Sequence, residues 1–156
     1  MSLIGYVTLE EANEYVETHF TLTDDLRISW SSISDDDKIV LLNRSYQAIE
    51  LLPFTGRKLT PEQQSAFPRW PSRDVPAAIK WAQIENAIAK SDSSTEEDTK
   101  HYERLWVYGV ESYSIGNLSE HTSAGSYGVH GAQSTGIVSA IADRLLRPFL
   151  GGGYRI

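Results

Sequence analysis

Four of the six prolines lie between residues 53 and 71, and this spacing limits the fold more than any other feature of the sequence: Pro53, Pro61, Pro68 and Pro71. Proline lacks a backbone N–H donor and is excluded from helix interiors and central strands. Residues 53–75, called the proline-rich loop below, are therefore predicted to form an ordered, irregular excursion. A loop of this length is uncommon in a compact domain unless it has a function.

Helical patterns surround this loop on both sides. Thr8 and Glu11 form a capping-box signature, which predicts a helix over about 9–19. Ser34 with three following aspartates predicts the start of a second helix, which Pro53 ends. Pro76 fits the first turn of a third helix, whose mixed apolar pattern indicates burial on more than one side.

The segment between the first two helices, residues 20–33, is expected to be a loop anchored in the core by Trp30. Polar residues 91–99 follow the third helix as a flexible link.

The C-terminal third has a different pattern. Residues 104–120 combine β-branched and aromatic residues with turn residues, which predicts a small β-hairpin. Residues 119–135 are rich in Ser, Gly, Thr and Ala and are expected to be mobile. A last helix is predicted at about 136–147, within a C-terminal helical region at 136–150, before a tail at 151–156. The whole chain is thus predicted to be one mainly α domain, a small bundle of about four helices with a long proline-rich loop and a small β-hairpin.

The formal net charge of −7 is unevenly distributed. Residues 1–52 contain ten acidic and three basic residues, whereas residues 53–81 contain two acidic and five basic residues. An acidic chain is a poor general binder of polyanions, so negligible affinity for short single-stranded DNA is expected at physiological salt. The uneven charge instead favours contact between the acidic part of one copy and the basic part of another.

No catalytic motif is present in the sequence. It has no cysteine, no phosphate-binding loop of the G-x-x-x-x-G-K-S/T type and no G-x-S-x-G motif. The four histidines lack the spacing of metal ligands. We therefore expect no enzyme activity, no cofactor and no metal. No apolar run approaches the roughly 20 residues of a membrane span, and no signal peptide is recognisable, so no membrane association is expected.

The proline-rich loop interleaves aromatic and basic side chains. Aromatic rings stack on bases while cations follow phosphates, which would make the loop a platform for a single strand. The candidate contacts are Arg57, Lys58, Arg69, Trp70 and Arg73. The structural alternative, favoured by the acidity of the chain, is that the aromatics attach the loop to the core and Arg69 donates to unpaired loop carbonyls.

The same segment contains Pro53-Phe54-x-Gly56-Arg57, then Phe67-Pro68-Arg69, then Pro76 before a helix. This pattern resembles a family of tailed-phage and prophage proteins, many of them labelled DnaT-like single-stranded-DNA-binding proteins. The resemblance covers about residues 8–90, and it includes the Thr8–Glu11 start and Trp30. The motif residues, to which we assign a structural role, are Pro53, Phe54, Gly56, Arg57, Gln63, Gln64, Phe67, Pro68, Arg69 and Pro76.

The resemblance implies a head–tail connector of a bacteriophage, because similar sequences are found among head-completion proteins. Such a subunit would be made in the bacterial cytoplasm and form a ring in the virion neck. Its partners would be further copies of itself, the portal protein, a tail or neck protein, and double-stranded DNA that passes without sequence-specific contact. Possible docking residues are Arg147, Tyr154, Arg155 and Ile156. The alternative implied by the family label is a single-stranded-DNA-binding module of phage replication or recombination.

Overall fold

Helices dominate the computed structural model, which describes residues 2–92, 112–115, 118–121 and 136–151. The α-helices within these ranges are α1 (Leu9–His19), α2 (Asp25–Ser32), α3 (Asp35–Glu50), α4 (Ala77–Ser91) and α5 (Ala140–Leu146), and α5 continues into a 3-10 turn at Arg147–Phe149. The prediction of a mainly α fold is confirmed.

Three predicted helices are present at the expected positions. Helix α1 starts with the predicted capping box, in which Glu11 N–H donates to the Thr8 hydroxyl at 3.1 Å and Thr8 N–H donates to the Glu11 carboxylate at 2.8 Å. Helix α3 is capped by Ser34, whose hydroxyl accepts from Asp37 N–H. Helix α4 begins directly after Pro76. Two side-chain caps and one proline were therefore sufficient to predict where these helices begin.

Two predictions about helices are wrong. Residues 20–33 are not only a loop, because they contain α2, whose first turn is capped by the Asp24 carboxylate accepting from Leu26 N–H. The last helix begins at Ala140 rather than 136, because Asn86 binds the preceding backbone in an extended form. Its side chain accepts from Val138 N–H at 2.8 Å and donates to the Gly136 carbonyl at 3.2 Å.

Helix α4 lies at the centre of the fold. Ile79 and Ala82 belong to one apolar cluster, with the end of α3, the proline-rich loop and α5. Ile84 and Ile88 belong to a second cluster, with α1 and α2. Every residue from Ala82 to Ala89 is buried, so the prediction of burial on more than one side is confirmed. Trp30 is also in the second cluster and is 2% exposed, as expected for an anchor.

Two short strands, β1 (Ser112–Ile115) and β2 (Leu118–His121), pair antiparallel, with Ser112 opposite His121 and Ile115 opposite Leu118. Their connecting residues lie outside the described part, so the hairpin stays a prediction. Residues 119–121, predicted as the start of the mobile loop, lie in β2. The remainder of that loop, 122–135, the link from residue 93 onward and the tail 152–156 lie outside the described residues.

Within the described ranges, no helix combines the length and the hydropathy that a membrane span requires.

Candidate nucleic-acid interface

Arg69 organises the first half of the proline-rich loop. Its guanidinium donates at 2.5–3.3 Å to the carbonyl oxygens of Phe54, Thr55, Gly56 and Ala66. Gly56 adopts a φ of +79°, a left-handed conformation that glycine accepts without strain. The N–H donors of one guanidinium thus form hydrogen bonds with carbonyls from two separate parts of the loop, which has almost no regular backbone pairing of its own.

Two further polar side chains serve the same purpose. Lys58 Nζ donates to the carbonyls of Gln63 and Gln64, both at 3.0 Å. Gln63 Nε2 donates to the carbonyls of Ser65 and Pro68, both at 2.9 Å. An isolated antiparallel bridge between Lys58 and Arg69 completes this arrangement. These cations are committed to the loop itself and have little capacity left for a ligand.

Phe67 attaches the loop to the core. Its side chain is 2% exposed, and its ring makes edge contacts with Phe54, Phe149 and Tyr6 at centroid distances of 4.7, 5.6 and 6.1 Å. The C-terminal segment reinforces this attachment, because Thr55 N–H donates to the Phe149 carbonyl at 2.9 Å. We call Lys58, Gln63, Phe67 and Arg69 the loop scaffold.

Glu50, at the end of α3, joins the scaffold to the N-terminal segment. It accepts from the Tyr6 hydroxyl and from Ala66 N–H, and the Tyr6 oxygen in turn accepts from Phe67 N–H at 3.2 Å. Burial, followed by the hydrogen bond to Glu50, raises the pKa of Tyr6 well above its ordinary value. Tyr6 therefore stays a neutral donor at all physiological pH values.

The other three basic and aromatic candidates of the loop are exposed. Trp70 is 57% exposed, and the Arg57 guanidinium lies 5.0 Å from the centroid of its ring. Arg57 and Arg73 are both exposed, and neither makes a salt bridge within the described residues. We call Arg57, Trp70 and Arg73 the outer face. The five basic and aromatic candidates are therefore divided: Lys58 and Arg69 support the loop, and the other three face solvent.

The remaining predicted residues take other positions. Pro53 and Gln64 are exposed, while Pro68 is partly buried. The Phe67–Pro68 and Trp70–Pro71 peptide bonds are both cis. Arg147 is exposed and pairs with Asp143 at 2.5 Å, one helical turn earlier. The other docking candidates, Tyr154, Arg155 and Ile156, lie outside the described residues. In the described ranges, no cluster of histidine and carboxylate side chains is arranged to hold a metal ion.

Sequence reasoning missed the cleft beside the loop, which is lined by Tyr6, Tyr46 and Arg73 among others. Tyr46 fits the apolar stripe of α3, so its pattern is that of a core residue. Only the tertiary contact between the N-terminal segment and α3, where the Tyr6 and Tyr46 rings lie 5.2 Å apart, brings these side chains together.

A family model described as "Putative DnaT-like ssDNA binding protein" matches residues 5–156, and the chain belongs to this family. No curated protein and no solved structure matches the chain. The family match agrees with the DnaT-like part of the resemblance, whereas the head–tail connector assignment receives no support from it.

Proposed function

We propose that this protein binds single-stranded DNA through the outer face of the proline-rich loop. The observation that carries the proposal is the exposed Trp70 ring, with the Arg57 guanidinium 5.0 Å from its centroid. An exposed indole ring on a firmly held loop offers a flat face on which a base can stack. The family description supports the same function.

The chemistry of the outer face suits a single strand rather than a duplex. Every base has a π-face that stacks on an aromatic ring, so Trp70 would bind bases without strong sequence preference. Arg57 and Arg73 would contact the phosphates on either side of the stacked base. Since the scaffold already fixes the loop, little conformational entropy is lost when the strand binds.

The charge of the chain sets the expected strength of binding. With a net charge of −7 and two free cations on the outer face, affinity should be weak at physiological salt and should rise as salt is lowered. Two phosphate contacts predict a slope of about −1.4 in a plot of log affinity against log salt.

The test is a fluorescence-anisotropy titration of a labelled thymidine 15-mer at low salt. Replacing Trp70 with alanine should weaken binding roughly 5- to 140-fold, the range expected for losing one base–aromatic stack. The matched control is Trp81→Ala, because Trp81 is also exposed, at 43%, but lies on α4 against Tyr15 and His19. An equal loss of oligonucleotide affinity in the two variants would contradict the proposal, and so would absence of binding by the unmodified chain.

A ring-forming head–tail connector is the second candidate, and the observation in its favour is the separation of charge. The first turn of α3 is acidic, whereas the outer face carries Arg57 and Arg73, so unlike surfaces of neighbouring copies would attract. Mass in solution and electron micrographs separate the two candidates. A ring that does not bind oligonucleotide favours the connector, whereas a monomer that binds it favours the DNA-binding module. Neither function includes a catalytic step.

A further inference from the structure

A cleft of about 620 Å³ opens beside the proline-rich loop. It lies between the N-terminal segment, α3, the loop and the start of α4, and we call it the tyrosine cleft. Its lining includes Tyr6, Tyr46, Ser65, Phe67, Arg73 and Lys80. The volume falls within the roughly 300–1,000 Å³ of small-molecule sites in proteins.

Aromatic side chains form much of the cleft wall. The rings of Tyr6 and Tyr46 meet edge to face at 5.2 Å, and both side chains are half-buried. The Tyr6 hydroxyl is already hydrogen-bonded to Glu50. The Tyr46 hydroxyl has no hydrogen-bond partner among the described residues, so it is free to bind a ligand. The cleft therefore offers an aromatic surface together with a free donor and acceptor.

The charges at the cleft argue against a phosphate inside it. Lys80 is paired with Glu11 at 2.9 Å, and the lining contains one carboxylate, Asp74, beside the cation Arg73 in the sequence. Arg73 and Asp74 carry opposite charges, and neither is neutralised by a salt bridge within the described residues. A neutral, flat, polar-edged group fits this balance better than an anion, and its attached phosphate would remain outside the cleft near Arg73.

Arg73 also connects the cleft to the outer face, because it lines the cleft and follows Trp70 by only three positions. Three residues span at most about 11 Å, so a strand stacked on Trp70 can reach the cleft. Unstacked bases of single strands are commonly turned outward, stacked on aromatic side chains and hydrogen-bonded along their edges.

We propose that the tyrosine cleft receives one nucleobase of the bound strand, next to the base that stacks on Trp70. This inference rests on the proposed function. The base lies against the Tyr46 ring, the Tyr46 hydroxyl contacts the edge of the base, and Arg73 contacts the phosphate that links it to the neighbouring nucleotide.

Photo-crosslinking of the full chain tests this directly. The probe is a thymidine 15-mer in which one position carries 5-iododeoxyuridine, which crosslinks to nearby aromatic side chains, and mass spectrometry identifies the linked peptides. The expected result is crosslinking both to the peptide with Trp70 and to a peptide with Tyr6 or Tyr46. Crosslinks confined to the Trp70 peptide would overturn the cleft proposal and leave the proposed function intact, whereas absence of oligonucleotide binding would overturn both.

Two variants sharpen the result. Tyr46→Leu removes the ring while keeping an apolar side chain, and it should abolish the cleft crosslink and weaken 15-mer binding by roughly 5- to 140-fold. Tyr46→Phe retains the ring and should keep the crosslink with a smaller loss of affinity. Unchanged affinity in Tyr46→Leu would overturn the proposal. If that variant fails to fold, crosslinking of the unmodified chain still shows whether a base enters the cleft.

Discussion

Helix α4 and the proline-rich loop both pack against the end of α3, but different interactions hold them. The helix is held by apolar burial, with Ile79 and Ile88 fully buried on two of its sides. The loop is held largely by polar side chains that donate to its carbonyls, above all Arg69. Because a few side-chain donors of the scaffold hold the loop, the residues of its outer face are not needed for folding. In contrast, almost every side of the helix is needed for the fold.

The largest expected effect comes from the helix. Replacing Ile79 with alanine should lower the free energy of unfolding by about 2–5 kcal/mol, because it leaves a cavity in the cluster shared by α3, α4 and α5. Chemical denaturation measures this change. The control is Trp81→Ala, two residues away but at an exposed position, which should lower the free energy of unfolding by much less. A similar loss of unfolding free energy in both variants would show that burial of its apolar sides does not hold α4 in place.

A smaller, pH-dependent effect is expected from a polar residue of the same helix. Burial raises the pKa of Glu85 above its ordinary value of 4.5, and the hydrogen bond from the Tyr15 hydroxyl at 2.7 Å offsets only part of this shift. His19 also favours the charged form, and Asp24 disfavours it. Because the folded state holds the proton more tightly than the unfolded chain, the ionised carboxylate reduces stability as pH rises above 4.5.

Glu85→Gln should remove this dependence, since the amide oxygen still accepts from Tyr15. The melting temperature of the variant should rise relative to the unmodified chain between pH 4.5 and neutrality. A difference that stays constant across this range would show that Glu85 does not titrate as described.

The smallest effect on stability is expected from removing the residues that follow Leu150. Leu150 is 8% exposed and pairs with Phe54 in an isolated bridge. A chain that ends at Leu150 keeps this contact, so its stability should change by less than about 0.5 kcal/mol and its oligonucleotide affinity should not change. If the full chain forms an oligomer that this truncation abolishes, residues 151–156 belong to a subunit interface and the connector gains support.

The sequence was most informative where local chemistry determines structure. The Thr8 and Ser34 caps and the Pro76 start defined three helices, because each depends on residues only a few positions apart. Helix α2 was missed, since its eight residues show little apolar periodicity and its main signal is the single Asp24 cap.

The candidate site was only partly predictable. The five basic and aromatic candidates of the loop were identified from composition, but their division into scaffold and outer face was not. Arg57 and Arg69 are chemically identical, and only the tertiary path of the loop brings four carbonyls around one of them and a tryptophan ring against the other. The tyrosine cleft likewise depends on a contact between residues 40 positions apart in sequence.

These two arginines provide the most direct test of the central claim, that the loop has a structural inner side and a binding outer side. Arg69→Ala and Arg57→Ala are compared in two assays, thermal unfolding and titration of the thymidine 15-mer over a range of salt concentrations. Arg69→Ala should lower the melting temperature clearly, because the partly buried carbonyls of Phe54 and Ala66 lose their donor, and an unsatisfied buried carbonyl costs roughly 1–3 kcal/mol. Arg57→Ala should leave the melting temperature unchanged, weaken binding and reduce the salt slope by about 0.7. An unchanged melting temperature in Arg69→Ala, or unchanged affinity in Arg57→Ala, would contradict this account.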